Sequence, residues 1–367
     1  MSISNALSHT PLHETHQALG ARTAPFAGWD MPVQYSGILE EANAVRTSAG
    51  LFDVSHMGRL KLKGPDAAGL LDKVLSVSAP KMRQGRARYN VLCTEEGGSI
   101  DDAIVYRRGD EDFLLIPNAA NTRAVFDWLA ANSKTYGRVN IEDVTQQTAM
   151  IAHQGPRAAE MLQPLTEADL SAVRPFGALR TRVAGADAYV ARTGYTGEDG
   201  YELIVPGDAA TAIWDQLMDN GAAPCGLGAR DVLRLEAGLL LHGNDMDASV
   251  NPYEAGLERF VDPDRVAYVA GPELRRIRDR GVARKLAGFK MVDRGIARHG
   301  YPITDGRAVI GSVTSGGPSP TLDMNIGLGY VPTGSATPGT RIYVEVRGRP
   351  VAAEVATLPF YSRSRNA

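Results

Sequence analysis

Apolar positions along this chain recur with two periods. From residue 58 to 64, Leu60 and Leu62 alternate with Arg59, Lys61 and Lys63, the period of two of a half-buried strand. Directly after Gly64-Pro65, the residues Ala67, Leu70, Leu71, Val74 and Leu75 fall three and four apart. That spacing predicts a helix, with Pro65 in the first turn where its missing N–H would have no partner anyway. The same Gly-Pro start recurs at 155–156, ahead of Met161 and Leu162, and at 271–272, ahead of Leu274 and Ile277. It reads as a convenient helix start, or as the trace of an old duplication. Ala124, Val125, Trp128 and Leu129 predict a helix over 121–132, and a second is predicted over 208–220, capped by Asp208 and stopped by Gly221. Strands are predicted at 102–106, 113–116, 149–152 and 201–205. Strand, helix, strand, strand, helix between 58 and 132 is the order of a split βαβ or ferredoxin-like unit.

Beyond Arg284 the pattern changes. Short apolar runs at 287–291, 308–313, 326–331, 341–346 and 351–355 alternate with Gly, Pro and Asp turns, predicting a separate C-terminal β-barrel or sandwich. Arg275, Arg276, Arg278, Arg280 and Arg284 precede it, either as the solvated face of a linker helix or as a docking surface for an acidic partner.

Composition narrows the class. A length of 367 residues predicts two to three domains at about 150 residues each. With 39 Lys and Arg against 42 Asp and Glu, the net charge of −3 argues against indiscriminate nucleic-acid binding. The 44% of hydrophobic residues suffice for real cores. No apolar run reaches the roughly 18 residues of a membrane span, and the polar first ten residues lack a secretory stretch, so a cytoplasmic protein is the expectation. Cys93 and Cys225, far apart, spell neither a zinc knuckle nor a disulfide framework.

Three constellations carry candidate chemistry. In Gly97-Gly-Ser-Ile-Asp101-Asp102, a tight turn opens a strand on two adjacent acids, which must face opposite sides. They read either as a turn-capping pair or as one exposed and one inward, functional carboxylate. In Arg192-Thr-Gly-Tyr195-Thr-Gly-Glu-Asp-Gly-Tyr201-Glu202, glycines and aromatics lead into a strand, as a plain hairpin loop or as a site that stacks a planar heterocycle and reads its N–H edge with Glu202. In Cys225-Gly-Leu-Gly-Ala-Arg230-Asp231, a helix start beside an arginine suits an anionic tail, or an ion pair within the helix. His9, His13 and His16 have helical spacing, but no acid completes a metal-binding HExxH pattern and no metal site is expected. His56, in Asp53-Val-Ser-His56, lies too close to Ser55 and Asp53 in sequence to form a catalytic triad with them; a structural or tuning role is expected.

Taken together, Thr10-Pro-Leu-His13, Phe26-Ala-Gly-Trp-Asp-Met-Pro32, Leu51-Phe-Asp-Val-Ser-His-Met57, Gly97-Gly-Ser-Ile-Asp-Asp102, His153-Gln-Gly-Pro156, Thr193-Gly-Tyr-Thr-Gly-Glu-Asp-Gly-Tyr-Glu202, Gly226-Leu-Gly-Ala-Arg-Asp231, Arg234-Leu-Glu236, Thr314-Ser-Gly-Gly317, Ser319-Pro-Thr321 and Pro359-Phe-Tyr361 resemble, in order, the glycine cleavage system T protein family. The resemblance implies an α+β fold in a three-domain, cloverleaf-like arrangement around a central folate cavity. Its parts are a folate-binding core from 1–56 plus about 135–280, a ferredoxin-like βαββαβ domain over 57–134, and a C-terminal β-barrel over 284–367. It implies a tetrahydrofolate-dependent aminomethyltransferase: the one-carbon unit of the aminomethyl group on the lipoyl arm of H protein passes to tetrahydrofolate, as co-substrate, giving 5,10-methylenetetrahydrofolate and ammonia. Asp102 is implied as the catalytic carboxylate, and Met57, Tyr89, Asn118, Tyr195, Glu202 and Arg230 as folate-binding residues, with no nucleic acid or membrane as partner. A folate-dependent demethylase on the same scaffold is the alternative; a noncatalytic folate-binding or iron–sulfur-assembly factor would carry a cysteine motif that neither Cys93 nor Cys225 supplies.

Overall fold

A computed structural model describes residues 6–363; the first five residues, half of the polar N-terminal stretch, and the last four lie outside it. Chain contacts divide it into two compact units, Met1–Ala68 with Met82–Arg88 and Ile104–Asp231, and Gly69–Lys81 with Tyr89–Ala103 and Val232–Ala367.

The first unit is built on a six-stranded sheet in the order Ala178–Val183, Ala186–Ala191, Gly200–Pro206, Thr148–Gln154, Gly50–Asp53, Ala223–Pro224. Leu51, Ile151, Val190 and Leu203 are buried with Trp214 and Leu217 of the helix Ala210–Asp219. Apolar side chains at 213, 214 and 217 make the one-sided stripe that the sequence shows, and burying such a stripe contributes about 1.5–3 kcal/mol per large side chain. Asp208 does not cap this helix. A 3₁₀ turn at Gly207–Ala209 precedes it, and the backbone N–H of Ala210 bonds Gly207 O, so an early amide is satisfied without a side chain.

A second sheet has the order Arg86–Cys93, Ser99–Arg107, Asp112–Ile116, Leu60–Lys63, Asn140–Asp143, and its first two strands carry the chain from one unit to the other. The expected strand, helix, strand, strand, helix order is present, with two strands that periodicity missed, at 86–93 and 140–143. The first mixes Arg86, Arg88 and Asn90 into its length, and the second, Asn-Ile-Glu-Asp, has a single apolar residue; neither alternates cleanly.

The Gly-Pro pairs do not all begin helices as expected. At 64–65 and 155–156 the glycine has a positive φ, +125° and +137°, and the helices begin at Ala67 and Ala158 after a turn closed by Ala67 N–H to Gly64 O and Ala158 N–H to Gly155 O. Only at 271–272 does the proline sit in the first helical turn, of Gly271–Arg280.

The second unit contains the closed barrel Arg284–Met291, Met324–Pro332, Val309–Ser319, Pro302–Thr304, Arg341–Val346, Arg349–Ala356. Phe289, Ile303, Val313, Ile342, Val344 and Val355 fill it. Closure leaves these six strands no free edge.

Candidate functional site

In the first unit, Glu202 sits on the strand Gly200–Pro206, flanked on both sides by antiparallel partners, opposite Ala191 and Ala152. It is 8% exposed, an unusual place for a carboxylate. Thr193 Oγ1 and, at 3.4 Å, the Tyr106 hydroxyl both donate to its Oε2, and Tyr106 and Thr193 are themselves 3.1 Å apart. Burial and the neighbouring Glu202 push the Tyr106 phenol well up, so it remains a donor. Among the described residues both bonds to this carboxylate fall on one oxygen, which leaves Oε1 to accept from a ligand.

The loop before this strand is held by Gln154, which accepts from Thr196 Oγ1 at 2.9 Å and donates to Thr193 O at 3.0 Å. Arg46 adds bonds to Thr196 O and Glu198 at 2.7 and 2.9 Å. So fixed, Tyr195 presents its ring to Arg230, whose guanidinium carbon lies 4.6 Å from the ring centre. Arg230 projects from the first turn of the helix Leu227–Glu236. The start of that helix is tied down by Glu41: Gly226 N–H donates to its Oε2 at 2.8 Å, while Tyr35, Ser36 and Gly37 N–H groups converge on Oε1. Among the described residues Arg230 Nη1 has no hydrogen-bond partner though it is enclosed, and burial lowers the guanidinium's pKa while Tyr195 and Glu202 pull it back up. A donor shut away without an acceptor is costly, and an anionic or carbonyl group of a ligand would relieve it.

Met57 and Asn118 belong to adjoining loops, joined by Gly58 N–H to Pro117 O at 3.0 Å. Asn118 O accepts from Asn121 N–H and Thr122 Oγ1, which shapes the turn before the helix Thr122–Asn132. The Met57 loop is wired by Arg59, fully buried, whose guanidinium donates to Ser55 O, Met57 O, Thr145 O and Thr148 O. Sequence reasoning passed over Arg59 as the polar face of a strand; nothing in the alternation of 58–64 distinguishes it from Lys61 and Lys63. His56 is 3% exposed beside these cations, and burial first, then Arg230, lowers its pKa to about 3. It is a neutral imidazole whose Nδ1 has no hydrogen-bond partner among the described residues, packed edge-on to Phe26 at 5.5 Å.

In the second unit, Asp101 is fully buried and Asp102 half-buried, the alternation that adjacent strand positions impose. The carboxylate implied as catalytic is thus the accessible member of the pair. Tyr89 donates its hydroxyl to Asp102 Oδ2 at 2.9 Å, and its ring packs edge-on to Phe260 at 4.7 Å. The turn before the strand closes tightly. A Cβ on Gly98 would lie 2.0 Å from Ala248 O, and Ser99 bonds Val250 O through both N–H and Oγ.

Several family-like motifs form a clamp within this unit. Arg234 donates to Asp245 at 2.6 Å and to Ser315 Oγ at 2.7 Å, and Thr314 Oγ1 donates to Asp245 at 2.6 Å. Glu236 accepts from Ser319 and Thr321 hydroxyls, and its carbonyl from Tyr361 N–H. The arginines before the barrel are largely engaged: Arg275 with Pro263 O, Arg276 with Glu273, Arg278 with Asp264 and Asp279, Arg284 with Glu254. The two thiols are buried, and burial pushes Cys93 up to about 12 and Cys225 higher still, so neither is a nucleophile.

Sequence comparison agrees with this arrangement. Residues 12–265 match the family described as GCVT N-terminal domain, and 284–362 the glycine cleavage T-protein C-terminal barrel domain. An aminomethyltransferase of Rubrobacter xylanophilus is 49% identical over 98% of this chain and 96% of its own. One from Saccharopolyspora erythraea is 47% identical over 97% and 98%. The crystal structure of the glycine cleavage system aminomethyltransferase T from Bartonella henselae superposes with a TM-score of 0.92 at 34% identity, covering 97% of this chain and 98% of that one.

Proposed function

Since the chain belongs to the glycine cleavage T-protein family, we propose that it transfers the one-carbon unit of aminomethyl-lipoyl H protein to tetrahydrofolate, with Asp102 as the catalytic carboxylate. Tetrahydrofolate, when bound, supplies the nitrogens that take up this carbon, with release of ammonia and of dihydrolipoyl H protein.

The observation that carries the reading is the half-buried Asp102, aimed by the Tyr89 hydroxyl at 2.9 Å. A fixed carboxylate favours positive charge as it develops on a reacting nitrogen and can take up the proton that nitrogen sheds; because its orientation is set beforehand, little reorganisation is needed during reaction. Glu202 offers Oε1 as an acceptor for an N–H edge such as that of a pterin. Arg230 offers a desolvated N–H, and Tyr195 a ring face already stiffened by that arginine. Met57 and Asn118 contribute from the loops that Arg59 and the Pro117 carbonyl hold in place. A cytoplasmic setting fits these co-substrates, and no described helix is long and apolar enough to cross a membrane.

One assay tests the reading. Aminomethylated H protein is mixed with the enzyme with and without tetrahydrofolate, and ammonia and 5,10-methylenetetrahydrofolate are measured. Equal yields of both products, formed only with folate, support it. Methylated folate formed instead from an N-methyl, methoxy or sulfonium donor would establish the demethylase alternative.

A further inference from the structure

Gln154 ends the strand Thr148–Gln154, opposite Gly50 on one side and Gly200 on the other. Two positions back along the same ladder, Ala152 lies opposite Glu202. Strand residues two apart, and residues directly opposite, share a face, so the Gln154 side chain leaves the sheet on the side that bears the Glu202 carboxylate. It is 1% exposed, and two glycines make room for it. A Cβ on Gly194 would meet Gln154 Oε1 at 1.8 Å, and one on Gly200 would meet Nε2 at 2.6 Å. Of the glycines at 194, 197 and 200, the first and last thus let this amide in.

The partners fix which way the amide points. Nε2 faces Thr193 O at 3.0 Å and His153 O at 3.4 Å, carbonyls that only accept. Oε1 faces Thr196 Oγ1 at 2.9 Å, a hydroxyl that accepts from Glu198 N–H at 3.2 Å and has its own proton to give. Thr193 is therefore anchored by its carbonyl while its hydroxyl donates to Glu202 Oε2. The Tyr106 hydroxyl closes the cluster, 3.1 Å from Thr193 Oγ1 and 3.4 Å from the same carboxylate oxygen. A carboxylate free to rotate presents its two oxygens alike. Here both donors lie on one oxygen, and the nearer donor belongs to the residue whose backbone Gln154 holds.

We propose, resting on the reading of Glu202 as the pterin's acceptor, that Gln154 is a positioning residue for folate: through Thr193 it fixes the rotation of the Glu202 carboxylate, so that Oε1 stands ready for the N–H edge of the ring. Gln154 acts without a contact of its own to the ligand. An acceptor already oriented spares binding the cost of ordering it.

The test is an equilibrium titration of the full chain with tetrahydrofolate, without H protein, each variant being held below its own Tm. Thr193→Val keeps the shape and removes the hydroxyl. Gln154→Glu keeps an acceptor for Thr196 and sets a second oxygen against the Thr193 carbonyl. Each should weaken tetrahydrofolate at least about tenfold, whereas Thr193→Ser, which keeps the hydroxyl, should bind close to the parent. Glu202→Gln should also cost at least about tenfold, and in that background Thr193→Val and Gln154→Glu should add little, because residues that act through one group are not additive. Parent-like binding by Glu202→Gln would remove the reading of Glu202 and the positioning role with it. Weakened binding by Glu202→Gln beside parent-like binding by Thr193→Val and Gln154→Glu would overturn the positioning role alone. So would losses that multiply in the double variants, or a Thr193→Ser as weak as Thr193→Val. Should Gln154→Glu fail to fold, the Thr193 variants and their cycle with Glu202→Gln decide.

Discussion

In the proposed reaction, Asp102 supplies one oriented carboxylate. Asp102→Asn keeps the shape and removes the charge, and kcat should fall about 10²–10³-fold, the usual loss when one preorganised electrostatic group is removed, with tetrahydrofolate affinity little changed in equilibrium titration. Tyr89→Phe removes the 2.9 Å bond that aims this carboxylate. Since a hydrogen bond to a charged group contributes about 1.5–3 kcal/mol, a loss of about tenfold or more in kcat is expected, again with folate binding retained. Two buried histidines should make the protein lose stability in acid. His56 is held at about 3 instead of 6.5, so between those values the unfolded chain binds a proton that the folded one refuses, and stability falls as pH drops through that window. His153, lowered by burial to about 4, acts with the same sign between 6.5 and 4. Asp53 adds a further loss below 3.8: burial alone would raise it, but the bonds from His16 and Ser55 hold it at about 2. The urea midpoint should therefore decline steadily from pH 6.5 downward, and His56→Gln should flatten that decline. Of the single residues, Asp102, Glu202 and Arg230 drew attention in the sequence because a charge in an apolar or glycine-rich context stands out. Arg59 was not, since burial cannot be read from alternation alone.

Elements were legible where their apolar period was clean. The helices Thr122–Asn132 and Ala210–Asp219 lie within a residue or two of their expected bounds, with Val125, Leu129, Ile213 and Trp214 buried as the stripe requires. The strand Asn140–Asp143 was not legible: none of its four residues is fully buried, and pairing with Leu60–Lys63 decides its state. The turn ahead of Asp102 shows how an element positions chemistry. With a Cβ 2.0 Å from Ala248 O, Gly98→Ala must displace backbone, and a destabilisation of about 1–3 kcal/mol is expected from chemical denaturation. The strand it opens carries Asp102, so kcat should drop alongside, whereas an alanine at Gly334, with open space around it, should alter neither.

Over the molecule as a whole, the motifs divide into those proposed to meet the ligand and those that bind the chain to itself. Arg234, 2% exposed, pairs with Asp245 and Ser315 within the second unit. Arg234→Ala leaves Asp245 buried without its cation, and a loss of about 3–5 kcal/mol is expected by urea denaturation. The arginines at 275–284 are mostly engaged with neighbouring carboxylates and carbonyls, which favours the solvated, internally tied face over a docking surface. Reversing the charge of Arg276 should leave the KM for H protein unchanged. The sequence by itself determined the α+β class, the C-terminal barrel and the family, because periodicity, turn residues and ordered motifs are local properties of the chain. Only the tertiary structure decided which of two adjacent acids is accessible and that both bonds to the buried Glu202 carboxylate fall on one oxygen. Those facts depend on residues far apart in sequence, and burial and hydrogen-bond saturation exist only once the chain has packed.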